Sequence, residues 1–193
     1  MAKYSRKDAL KYAEAFAHKV CHDSRVATDK GYPKIPAGTP IADADKHVNW
    51  RGSEDDCAHF MSCVIGDTTG KLTVGSTTTT VRGGGLKLPS PFANAGVYGH
   101  THVSNIYFFV LNHGAKIITP EFRTKSDPQT RDDIVTKLGP GDLLIYSKEE
   151  HIRKHAHSAL IVRSSLIACH TKSRFEIDFT DVGIAFVTLI KMP

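Results

Sequence analysis

The sequence predicts an α+β fold, and two observations carry that reading. Helical periodicity is confined to roughly the first two thirds of the chain. From Gly141 onward the pattern changes to short β-rich runs broken by turn residues. Helices first and strands afterwards give an antiparallel sheet packed against helices rather than alternating βαβ units. Composition adds that one domain suffices. The 193 residues are 40% hydrophobic and 23% charged, enough to bury a core without staples.

The elements follow in order. Ser5-Arg6-Lys7-Asp8 reads as a capping-box-like start, and Ala9, Leu10, Ala13, Phe16, Ala17 and Val20 repeat at helical spacing. Residues 23–54 are rich in Gly, Pro, Asp and Lys with no period, so they read as a long irregular segment. A second helix is expected from Asp55-Asp56, with Cys57, Ala58, Met61, Val64 and Ile65 on one face and Gly66 as its stop. Residues 67–100 are Thr- and Gly-rich and read as loop with one short strand. A buried helix is expected over residues 101–112, ended by Gly114. Asp127-Pro128 opens a shorter helix reaching Leu138, with proline at the first helical position. Strands are expected over residues 143–146, 158–163, 166–170, 175–179 and 184–190.

Several classes are disfavoured. No stretch approaches the roughly 20 apolar residues of a membrane span. The first 20 residues are punctuated by charge, so no Sec signal peptide is expected and synthesis in the cytoplasm is the default. The net charge is +5 and the pI near 9.0, which favours an anionic partner only weakly. There is no basic aromatic cluster, so nucleic acid is not an expected partner. The four cysteines, Cys21, Cys57, Cys63 and Cys169, form no CxxC pair and no disulfide framework.

Four local features carry chemistry. Cys57, in Asp56-Cys57-Ala58-His59-Phe60-Met61, falls at the first turn of the second helix. There the helix dipole and free backbone N–H groups favour a thiolate, and the same N–H groups can hold an oxyanion. The competing reading of Cys57 is a small buried hydrophobe on the helix's apolar face. Leu138-Gly139-Pro140-Gly141-Asp142-Leu143 is a tight turn feeding an apolar strand, with Asp142 as a turn residue. His157 stands at the mouth of the strand Ser158-Ala159-Leu160-Ile161-Val162, separated from His155 by Ala156, so both are expected on one face. His170 ends the following strand, where it can neighbour His157 and orient it.

Taken together and in this order, the four features resemble papain-like cell-wall hydrolases. The nearest likeness is to the NlpC-type cysteine peptidases and the related putative amidase domain family. Asp56-Cys57-x-x-Phe60 resembles the run around their nucleophile, with Ala58 where a small hydroxyl residue is usual. Residues 138–146 resemble their Gly-Asp turn, residues 157–162 their histidine strand, and His170-Thr171-Lys172-Ser173-Arg174 the His-(Ser/Thr)-x-x-Arg element of the amidase branch. The resemblance implies a papain-like fold, Cys57 as nucleophile, His157 as general base and His170 as orienting residue, with no cofactor. It implies one domain over residues 1–193 with an insertion over 67–130. It also implies amide hydrolysis in peptidoglycan or a peptide-like substrate. An antibacterial effector exported by dedicated machinery and countered by an immunity or inhibitor protein, a phage lysin, and a cytoplasmic enzyme all remain open. For a second oxyanion donor, Asn49, Arg51 and Ser53 qualify equally by type.

Two rivals are carried forward. One is an acyltransferase or general amidase of the same superfamily. The other is a zinc protein using ligands from His100, His102, His113, His155, His157, Cys169 and His170, although neither HExxH nor paired-cysteine spacing occurs.

Overall fold

A computed structural model describes residues 3–19, 21, 37–38, 57–74, 76–88, 103–123, 128–148, 155–170 and 174–193. The irregular segment 23–54, the Asp55-Asp56 helix start, Val20 and residues 171–173 lie wholly or almost wholly outside that set. The described elements are α1 (Arg6–Phe16), α2 (Cys57–Ile65), β1 (Thr69–Val74), β2 (Thr77–Arg82), α3 (Val103–Asn112), β3 (Lys116–Arg123) and α4 (Pro128–Lys137). They continue with β4 (Leu143–Ser147), β5 (His155–Arg163), β6 (Leu166–Cys169), β7 (Arg174–Asp178), a 3-10 turn (Phe179–Val182) and β8 (Phe186–Lys191). The fold is α+β, as the change of period at Gly141 requires.

Six strands form one sheet in the order β3-β8-β4-β5-β6-β7, and every neighbouring pair is antiparallel. Its two faces bury separate cores. Leu143, Ile145, Leu160, Ala168 and Ile190 pack with residues of α1, α2 and α3. Leu144, Tyr146, Ala159, Ile161, Ile167 and Cys169 pack on the other side, with Ile134 of α4 and Phe179. The strict alternation of odd and even positions between these cores is the pleat at work. It also fixes which way each site residue points.

Ser5 caps α1 by accepting from the Asp8 amide at 3.3 Å. The box is only half formed, because the Ser5 amide donates instead to the carbonyl of Gly84 at 2.8 Å. That bond pins α1 to the turn just after the strand pair β1–β2, where the sequence predicts loop with one short strand. The second strand leaves no mark in the sequence, because Thr77–Thr80 are exposed and only Val81 of β2 is buried, so no alternation is visible. Gly83 follows this hairpin, and a Cβ there would overlap the carbonyl oxygens of Cys63 and Gly66. Only glycine lets the two backbones approach so closely.

Two further expectations change. Helix α2 is buried on all sides, not on one face. Helix α3 is half buried, with Phe108 47% exposed. Strand β3 was not anticipated; it closes the edge of the sheet against β8 with two irregularities in register.

Asp142 is the fold's main polar anchor. Its carboxylate pairs with Arg6 at 2.6 Å and accepts from the amides of Met192 at 2.7 Å and Gly139 at 2.8 Å. One buried side chain thus joins α1, the Gly139–Gly141 turn and the last residues described. Gly141 beside it has φ +90, and a Cβ there would meet Arg6 at 2.9 Å. Asp142→Ala is expected to cost about 3 kcal/mol, because two amides lose their acceptor and the Arg6 guanidinium loses its counter-charge. A lower urea midpoint with an unchanged slope is the result to look for; an unchanged midpoint would show the anchor to be dispensable.

Candidate active site

Cys57 is the first residue of α2 and has no exposed surface. Its carbonyl accepts from the hydroxyl of Ser158 at 3.2 Å, which lays the start of α2 across β5. Phe60 lies one turn further along, so its side chain and that of Cys57 are neighbours on the helix surface. The ring of Phe60 stacks on His170, with centroids 3.8 Å apart and planes 14° from parallel. Cys57, Ser158, Phe60 and His170 therefore form one contiguous group on the helix-covered face of the sheet.

His170 is fully buried, and its Nε2 lies 2.9 Å from the carbonyl oxygen of Phe16, at the end of α1. A carbonyl can only accept, so Nε2 carries the proton of this bond. In the neutral ring the lone pair then resides on Nδ1. A backbone carbonyl thereby fixes the tautomer.

His157 is placed differently. It pairs across the ladder with Tyr146, and the two rings stand 5.7 Å apart. Tyr146 belongs to the far core, whereas Ser158 points at Cys57. The imidazole of His157 is thus on the opposite face of the sheet from Cys57. The expectation that His155 and His157 share a face is overturned by a β-bulge. Tyr146 faces His157 and Ser147 faces His155, so Ala156 is the extra residue and reverses the alternation. His155 contacts α3 instead, with Nδ1 3.1 Å from the Ser104 hydroxyl and its ring 4.3 Å from that of Tyr107.

Burial pushes the pKa of His157 down to about 3, helped by the charges of Arg174 and His170. Its Nε2 is buried with no hydrogen-bond partner among the described residues. The ring is neutral in the folded protein, and this has a consequence for stability. The unfolded chain takes up a proton near pH 6.5 that the folded chain refuses until about pH 3. Stability conferred by the neutral ring is therefore present above pH 6.5 and is lost as pH falls toward 3. At pH 4.5 the loss amounts to at most about 2–3 kcal/mol. His157→Leu should flatten the slope of unfolding free energy between pH 7 and 4.5; an unchanged slope would place the titration elsewhere.

The remaining thiols are held differently. Burial pushes Cys169 up to about 12, against a smaller opposing effect of Arg174, so it stays a thiol. Cys63, in the last turn of α2, and Cys21, after α1, are buried with their sulfurs within 4.8 Å of a ring nitrogen of His59. Among the zinc ligands offered by the sequence, His100 and His102 lie outside the described residues. His113 has its Nδ1 2.8 Å from the carbonyl of Phe109. Among the described residues, the group whose candidate donor atoms lie within 4.8 Å of one another is instead Cys21, His59 and Cys63. The signal for it was the four-residue spacing of His59 and Cys63, which a search for CxxC and HExxH passes over. Asn49, Arg51 and Ser53 also lie outside the described residues. No described helix is long and apolar enough to cross a membrane.

A cysteine opening a helix and a buried histidine on the same helix-covered face of an antiparallel sheet are the residue types that acyl-transfer chemistry uses. Comparison with known proteins gives the family. The profile described as "Putative amidase domain" matches residues 3–187. The chain belongs to that family, whose description points to hydrolysis of amide bonds. No curated protein and no solved structure matches the chain.

Proposed function

We propose that the protein is a thiol amidase in which Cys57 is the nucleophile and one buried histidine, His157 by motif order or His170 by position in the fold, exchanges its proton. The observation that carries this is the placement of Cys57 at the start of α2, one helical turn before Phe60, whose ring stacks on a histidine of fixed tautomer. The thiolate attacks the amide carbonyl and the carbonyl oxygen becomes an oxyanion. Backbone N–H groups of the first turn of α2 stabilise that charge. The histidine that took the thiol proton returns it to the departing amine, leaving a thioester on Cys57. Water then cleaves the thioester to a carboxylic acid and the free thiol.

Motif order assigns the base to His157 and the orienting role to His170. The faces of the sheet favour the other assignment, with His170 as base and the Phe16 carbonyl as its orienter. The substrate we propose is an amide bond in the peptide part of peptidoglycan. That choice rests on the motif resemblance and, weakly, on the +5 charge, which attracts an anionic envelope in a salt-dependent way. Purified sacculi incubated with the protein are expected to release new amine termini. Intact sacculi, together with cleavage of another acyl substrate, would move the reading to an acyltransferase or general amidase. Export as an antibacterial effector, with an immunity protein as partner, is one role this activity would serve.

A further inference from the structure

His59 and Cys63 are four residues apart on α2 and so project from the same face of the helix. Cys21 reaches the same spot from the segment that follows α1. The two sulfurs and an imidazole nitrogen all lie within 4.8 Å of one another. All three residues are buried, with 1%, 2% and 0% of Cys21, His59 and Cys63 exposed. Single buried cysteines are ordinary core residues, and a single buried histidine is ordinarily a satisfied one. Here two thiols and an imidazole converge from two parts of the chain, a donor set that one soft cation can share.

We propose that Cys21, His59 and Cys63 bind one thiophilic d10 cation, Zn2+ or Cu+, which ties the segment after α1 to the middle of α2. Donors around a tetrahedral zinc, at about 2.3 Å for sulfur and 2.0–2.1 Å for nitrogen, stand roughly 3.5–3.8 Å apart. Closing the cluster from at most 4.8 Å to that size takes up to about 1.0–1.3 Å, shared among three side chains. The donor set selects the metal: thiolate and imidazole suit zinc and cuprous copper, while calcium and magnesium require oxygen. Two thiolates also match the charge of Zn2+, so the filled site is neutral within an apolar surrounding. On binding, each thiol releases its proton to solvent and the metal takes its place, with no change of oxidation state. This site is separate from Cys57 and stands whether or not Cys57 is a nucleophile.

The test uses the full chain, purified under reductant, stripped with a chelator and titrated anaerobically. Zn2+ is added against a chromophoric chelator in one arm and Cu+ against a cuprous chelator in the other. One equivalent is expected to bind in at least one arm, and the arm with tighter binding names the metal. Co2+ is expected to give a thiolate-to-cobalt charge-transfer band. The whole equivalent and the band should vanish in Cys63→Ala and His59→Ala and persist in Cys57→Ala. If Cys63→Ala loses its far-UV circular dichroism, Cys21→Ser takes its place in the comparison. Absence of stoichiometric binding and of the cobalt band in the wild-type protein would overturn the proposal. So would retention of metal by Cys63→Ala with loss in Cys57→Ala, or peptide mapping that shows Cys21 and Cys63 joined by a disulfide in the metal-free protein despite the reductant.

Discussion

Cys57→Ala is expected to abolish amide hydrolysis, with a fall of at least about 10^4-fold in turnover and little change in fold. The size follows from the role. A nucleophile that forms the acyl-enzyme bond has no substitute, whereas a packing residue costs only the contacts of its small side chain. Burial sharpens the test. All four cysteines are buried, so accessibility alone does not separate them. Cys169 is held as a thiol by burial, with its pKa near 12. Cys57 is the one of the four that opens a described helix, where the helix dipole favours the thiolate. Iodoacetamide should therefore label Cys57 faster than Cys21, Cys63 and Cys169. Because Cys57 has no exposed surface, the labelling rate also measures how readily the residues covering it open. Full activity in Cys57→Ala, or preferential labelling of another cysteine, would leave Cys57 as a core residue and remove the mechanism proposed here.

The sequence was most legible where chemistry and periodicity coincide. Helix α1 was visible from its Ser5 cap and its apolar repeat, and the strands after Gly141 from their β-rich runs between turn residues. Of the hairpin β1–β2 only one short strand was expected, because Thr77–Thr80 of β2 face solvent and burial left little pattern to read. Strand β3 was hidden for a related reason. It carries Pro120 and Glu121 at the sheet edge, where proline is tolerated and local propensity says little. The order Cys57, His157, His170 was plain in the sequence, but the faces they occupy were not. That depends on one inserted residue, Ala156, with neither glycine nor proline to mark the bulge. The Cys21–His59–Cys63 group depends on a tertiary approach of two segments, of which only the four-residue spacing within α2 is local.

The two histidines separate on the energy of a proton transfer. An ordinary thiol has a pKa of about 8.5, and His157 in its buried place has one near 3. Moving the proton from such a thiol to His157 costs about 7 kcal/mol, several powers of ten in the population of the ion pair. A catalytic base works best near the operating pH, and burial on the far face of the sheet takes His157 away from it. His170 lies on Cys57's side and has its tautomer set by the Phe16 carbonyl. His170→Ala is thus expected to lower kcat/KM by about 10^3-fold or more. His157→Ala should lower it by less than about 10-fold at neutral pH, acting through stability rather than proton transfer. Because His170 also bonds to the end of α1, its variant loses some stability. Rates must therefore be measured well below its unfolding midpoint. His155→Ala, on the α3 side of the bulge, serves as the comparison and should stay near wild type. A larger loss in His157→Ala than in His170→Ala would return the base to His157, as motif order implies. It would also mean that the strand carrying His157 turns its ring toward Cys57 during turnover.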